Sequence, residues 1–140
     1  MINARKTTQE ILQEEVLRER VGTLVRTAER LAEALERLRE MEREIAALME
    51  GGQGRGVPAG AGAEAGRGRQ RFLREFNRKI QAYNRQREHA RTRYHYLIVT
   101  REALGIIHHE RLEEFYPIPP KGECLPEEWD SQTEDWRKTG

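Results

Sequence analysis

The sequence predicts an all-α chain, folded as a long antiparallel helical hairpin of coiled-coil type. The hairpin assembles into a four-helix bundle and carries an extended acidic C-terminal tail. Three observations predict this. One heptad pattern runs through residues 17–49, a second through 73–104, and between them lies "GGQGRGVPAGAGAEAGRGRQ", residues 51–70. Four segments follow: helix 1 over 1–50, a flexible connector over 51–70, helix 2 with a short C-terminal helix over 71–116, and a tail over 117–140.

In the first segment Leu17, Leu24, Leu31, Leu38 and Ile45 form one column. Val21, Ala28, Leu35 and Met49 form the other, broken by Glu42 and Glu14. Apolar residues repeating at heptad spacing over several turns make the seam of a two-helix contact. Thr7 or Thr8 supplies the N-cap, and Glu10 stands where it completes a capping box from Thr7.

The connector holds eight glycines and one proline in residues 51–70. Each glycine costs a helix about 1 kcal/mol relative to alanine, so the segment is expected to be non-helical. It lacks GxxxxGK[ST] and no strand precedes it, which excludes a phosphate-cradling loop of that kind.

In the third segment Leu73, Ile80 and Tyr94 form one column, interrupted by Arg87 and Arg101. Phe76, Tyr83, Ala90, Leu97 and Leu104 form the other. Folding back pairs Ile45 with Leu73, Leu38 with Ile80, Leu35 with Tyr83, Ala28 with Ala90, Leu24 with Tyr94 and Val21 with Leu97. A displacement by one heptad satisfies the same columns, and the small Ala28–Ala90 pair favours the register given. Gly105 ends the helix. "IIHHERLEEFY" then forms a short amphipathic helix offering Ile107, Leu112, Phe115 and Tyr116, which folds back over the apolar end of helix 2.

"YPIPPK", residues 116–121, is extended, serving as a rigid spacer or as a ligand for an aromatic groove. The acidic stretch after it, with Trp129 and Trp136, either docks on a partner or lies back on the basic helix of its own chain.

Helix 1 carries more apolar surface than one partner helix covers, at Ile11, Val25, Ala32, Ala34, Met41, Ala46 and Leu48. A two-helix hairpin alone buries little area. A further helical neighbour is therefore expected, either a second copy or another helical protein. Its contacts are placed at Val25, Ala32, Met41, Leu48, Tyr96, Ile98 and Val99, with Trp129 and Trp136 supplying a second contact.

The net charge of +1 conceals neighbouring blocks. Residues 1–50 hold nine basic and eleven acidic side chains, 51–101 hold twelve and three, and 102–140 hold four and ten. The middle block suggests a nucleic-acid surface, with Arg67, Arg69, Arg71, Arg74, Arg78 and Arg85 as phosphate contacts. Against this, Arg74, Arg78 and Arg85 face outward, Lys79, Arg91 and Arg93 flank the seam, and Arg87 and Arg101 interrupt it. Charge spread around a helix is a weaker nucleic-acid signal than charge on one face.

Chemistry finds little footing. His89, His95, His108 and His109 lack HExxH, paired ExxH or any partner CxxC, so no metal or other cofactor is expected. Cys124 is the single cysteine; it excludes an internal disulfide and has no identifiable base beside it. Apolar runs such as "YLIV" fall far short of the ~20 residues of a membrane span, and the N-terminus shows no apolar signal core. The expectation is a cytoplasmic, non-enzymatic scaffold or adaptor working by helix–helix recognition and a docking tail. The alternatives are an RNA- or DNA-binding hairpin and a small helical chaperone.

Overall fold

The computed structural model describes residues 5–53 and 62–126. Two long helices, α1 (Thr8–Gln53) and α2 (Gly62–Ala103), pack antiparallel as a hairpin, and a single turn, α3 (Leu112–Phe115), follows. Among the described residues there are no strands.

α1 begins with the capping box that its sequence announces. The Thr7 amide donates to Glu10 Oε2 at 2.9 Å, and the Glu10 amide donates to Thr7 Oγ1 at 3.2 Å. Two orphan donors of the first turn are thereby satisfied. Further along, Glu36 and Glu40 pair with Arg39 and Arg37 one turn away at 3.0 and 3.1 Å. Such exposed pairs add only tenths of a kcal/mol each. Burial of the seam is the main source of stability.

That seam is made of the expected columns. Leu31, Leu35, Leu38 and Ile45 of α1 are buried against Leu73, Phe76, Ile80, Tyr83, Ala90 and Leu97 of α2. Ala34 and Met41 belong to the same core, and Leu48 packs against it half-buried.

The helices are offset from the expected register. Leu97 is 2% exposed, yet Val21, its expected partner, is 46% exposed. The Tyr83 hydroxyl donates to Glu42 Oε1 at 3.0 Å, Lys79 Nζ lies 3.8 Å from Glu44, and Gln86 Nε2 donates to the Ala34 carbonyl at 3.3 Å. The sequence register puts positions 35, 39 and 32 opposite these three residues. Each actual partner lies further toward the C-terminus of α1, in the direction of the one-heptad alternative. Side chains tilt toward the N-terminus of their own helix, which accounts for part of the shift but not for the exposure of Val21. The physical reason is the Tyr83 hydroxyl: a buried phenol needs a hydrogen-bond partner, and Glu42, which breaks the apolar column, supplies one.

Both helices also extend into the glycine-rich segment expected to be non-helical, α1 as far as Gln53 and α2 from Gly62. Extending an existing helix adds one hydrogen bond per residue fixed, without a second nucleation cost. Ala63, Glu64, Ala65, Arg67, Arg69 and Gln70 are good helix formers between the glycines. Residues 54–61 of the expected connector lie outside the described residues.

α2 stops where expected. Gly105 has φ +85°; its amide donates to the Glu102 carbonyl at 2.9 Å and the Ile106 amide to Arg101 at 3.0 Å. This pair of bonds is the Schellman closure, which glycine reaches without strain. Arg101, an intruder in the seam pattern, holds the next turn: its guanidinium donates to the His108 carbonyl at 3.0 Å and to His109 Nδ1 at 3.2 Å. His109 therefore keeps its ring proton on Nε2, facing Glu102 at 3.3 Å.

The short helix after Gly105 is only one turn and covers less than expected. Leu112 is buried and Tyr116 packs on the core, but Ile107 and Phe115 stay out at 70% and 69% exposed. Beyond it, the first part of the tail is a component of the fold. Residues 117–126 carry no regular secondary structure and run as a strap back along α2, with Leu125 buried and Ile118 packed on the core.

Candidate functional site

Two features of the hairpin stand out from an ordinary solvated rod: the strap along α2, and the distribution of exposed apolar and basic side chains between the two ends.

The strap is gripped by its backbone. Asn84 Nδ2 donates to the Gly122 carbonyl at 2.9 Å and Asn84 Oδ1 accepts from the Gly122 amide at 2.8 Å. Asn77 repeats the arrangement with Leu125, at 3.0 and 2.8 Å. Arg87 Nε donates to the Pro119 carbonyl at 2.7 Å, and the Tyr83 hydroxyl lies 3.4 Å from that of Pro120. The spacing of the two asparagines explains the match. Seven residues of helix advance ~10.5 Å, and three residues of extended chain advance ~10 Å. Strap and helix run in opposite directions, from Arg87 at the start of the strap to Asn77 at its end. Gly122 is buried close against α2, where an added Cβ would sit 3.3 Å from two carbons of Ile80. Cys124 is exposed at the same place, its thiol 4.0 Å from the Asn77 carbonyl.

The exposed large apolar side chains all lie at the end of the hairpin away from the connector. Among the described residues they comprise six on α1 between Ile11 and Val25, and five between Tyr96 and Phe115. On α1 they continue the seam: Leu17 and Val21 extend the two core columns past the last residues that α2 covers. Of the contact residues expected from sequence, Val25, Tyr96 and Val99 are exposed large apolar groups and Ala32 is exposed. Ile98 and Leu48 are half-buried and packed on the hairpin's own core, and Met41 is buried in it. Trp129 and Trp136 lie outside the described residues.

Basic residues gather on the back of α2. Arg67, Arg69, Arg71, Arg74, Arg78 and Arg85 are all exposed. Because α2 is continuous from Gly62, Arg67, Arg71, Arg74, Arg78 and Arg85 share one helical face, within about 60° of one another at 100° per residue and opposite the core. Arg74, Arg78 and Arg85 face outward as expected, and Arg67, which the sequence reading placed on a flexible connector, joins them in helical register; Lys79, Arg87, Arg91, Arg93 and Arg101 lie elsewhere around the helix. The signal was present in the spacings of four, three, four and seven residues. Among the described residues none of the five lies in an ion pair, whereas Lys79, Arg87 and Arg91 have Glu44 or Glu88 beside them.

Near the end of α2, Tyr94 has its pKa raised, by burial first and by Glu113 second, against a lowering by Arg101. No group of three or more metal-ligating side chains occurs among the described residues, and no helix is long and apolar enough to cross a membrane. Comparison with known proteins finds no match: no family model fits the chain, and no curated protein or solved structure is similar to it.

Proposed function

We propose that the chain is a non-enzymatic assembly element, a scaffold or adaptor, whose working surface is the overhanging N-terminal part of α1. The observation that carries this reading is the placement of the exposed apolar side chains. An isolated rod has no reason to confine them to one end, and apolar patches of this kind mark contacts. The overhang is a seam without a partner strand: Leu17 and Val21 occupy the same two columns that α2 covers further along.

The occupant this surface fits is a second copy of the chain. Two overhangs packed antiparallel about a two-fold axis continue each seam into the other, giving a two-helix joint in a dimer of four long helices. The charges agree, since an antiparallel pairing brings Arg18 and Arg20 of one copy toward the turn holding Glu10, Glu14 and Glu15 of the other.

Light scattering on the full chain at low micromolar concentration is expected to give a species heavier than the 16.4 kDa monomer. Leu17→Glu with Val21→Glu should return it to a monomer while helix content is kept, because these positions contribute nothing to the intramolecular core. A fully helical wild-type monomer under those conditions would overturn the proposal.

The five-arginine face favours a second reading, a nucleic-acid-binding hairpin. Arginines spaced one to two turns apart on one face, unpaired among the described residues, match the requirement for tracking a phosphate backbone.

A further inference from the structure

The outer line of α2 does not end with its arginines. At 100° per residue, His89 and Tyr96 fall in the same sector as Arg67, Arg71, Arg74, Arg78 and Arg85. Both are exposed, Tyr96 at 51%. From Arg67 to Tyr96 the line runs ~43 Å along the helix. The two carboxylates between Gly66 and Arg101, Glu75 and Glu88, lie about 40° outside its two edges. Glu88 is in addition held by Arg87 and Arg91, at 3.2 and 3.1 Å.

Charge, shape and aromatic content together select the ligand. None of the five arginines lies in an ion pair among the described residues, and guanidinium forks suit phosphate oxygens. Along the arginines α2 has no apolar side left to lower into a lipid surface, because Phe76, Ile80 and Tyr83 are buried in the seam. The line is also nearly straight. The phosphates of a duplex wind around its axis, so a straight rod meets them only where a strand crosses it. A pliable single strand can follow the whole length. Tyr96 and His89 point to the same choice, since a duplex keeps its bases stacked on one another, whereas a single strand offers them to aromatic rings.

We propose that the ligand of this face is single-stranded nucleic acid. The arginines take its phosphates, and Tyr96, with His89, supplies the rings on which bases stack. This deepens the nucleic-acid reading given above and rests on it; the apolar overhang plays no part in it.

The test is fluorescence anisotropy of the full chain with labelled oligo(dT) of about 20 nucleotides, longer than the usual single site of ~4–16. The same strand annealed to oligo(dA) is the duplex probe. At ~0.15 M salt the single strand should bind at least about fivefold tighter than the duplex. Its log affinity should fall against log salt with a slope of about −3.5, from 0.7 for each of five contacts. Arg67→Gln/Arg71→Gln/Arg74→Gln should make that slope shallower by about 2. Arg37→Gln/Arg39→Gln/Arg43→Gln, which removes the same charge from the exposed side of α1, should leave it unchanged. Tyr96→Ala should weaken single-strand binding at least about fivefold and duplex binding hardly at all. Circular dichroism checks that each variant stays helical. A duplex bound as tightly as the single strand, or a Tyr96→Ala variant that binds oligo(dT) like the wild type, overturns the single-strand proposal and leaves the nucleic-acid reading standing. Binding of neither probe overturns both. Poly-glutamate that displaces the strand as well as unlabelled oligo(dT) does would make the face a site for acidic protein chains, and overturns both as well.

Discussion

Leu31→Asp should abolish the hairpin. Leu31 is 0% exposed and lies in a core whose other buried members are all apolar. Losing the buried leucine forfeits about 1.5–3 kcal/mol, and an unpaired carboxylate in its place adds several kcal/mol more. Single domains have only about 5–15 kcal/mol to lose. The expected result is loss of most of the helical ellipticity at 25 °C, with partial recovery in acid as the new carboxyl protonates. Arg85→Ala, on the exposed back face of α2, is the matched control and should melt within a few degrees of the wild type. An aspartate variant that unfolds cooperatively near the wild-type midpoint would mean that Leu31 is not at the centre of the core.

What was legible in the sequence was what is local. The Thr7–Glu10 box, the heptad columns and the stop at Gly105 are each written within a few residues, and each is found where the pattern puts it. The register was not local. It depends on where the Tyr83 hydroxyl finds an acceptor, and Glu42, which from sequence alone is only a defect in a column, is that acceptor. The apparent surplus of apolar surface on α1 had a similar origin. Ala34 and Met41 belong to the core of their own chain, so they do not in themselves call for a second molecule, whereas the apolar side chains of the overhang stay exposed.

The strap was illegible for a different reason. Its hold on α2 uses main-chain groups of Gly122 and Leu125, which leave no mark on the sequence of the strap itself. The one available sign was on the helix, two asparagines seven apart in a row otherwise rich in arginine and glutamine. Part of the arginine face was hidden by a boundary error: once the helix begins at Gly62 instead of 71, Arg67 falls into line with Arg71, Arg74, Arg78 and Arg85. Together these features give the hairpin a polarity, with an apolar overhang at one end and a basic face toward the other. A partner helix and an anionic chain would therefore bind at different places and need not compete.

Asn77→Ala combined with Asn84→Ala should release the strap without melting the hairpin. The pair of substitutions leaves the amides and carbonyls of Gly122 and Leu125 without the asparagines that satisfy them, four bonds of about 0.5–1.5 kcal/mol each. The two helices keep their own seam, so ellipticity should fall little. Hydrogen exchange at the Gly122 and Leu125 amides is the measurement, and a loss of this size accelerates it by about thirtyfold or more. Asn84→Asp separates the grip from mere shape: a carboxylate still accepts from the Gly122 amide but has no N–H to give its carbonyl. It should loosen the strap at neutral pH and tighten it again on protonation. Gly122→Val should act from the other side, since its added carbons meet Ile80 where even a Cβ is tight. If the double variant exchanges at the wild-type rate at both amides, the asparagines are not what holds the strap, and burial of Leu125 and Ile118 would have to account for it alone.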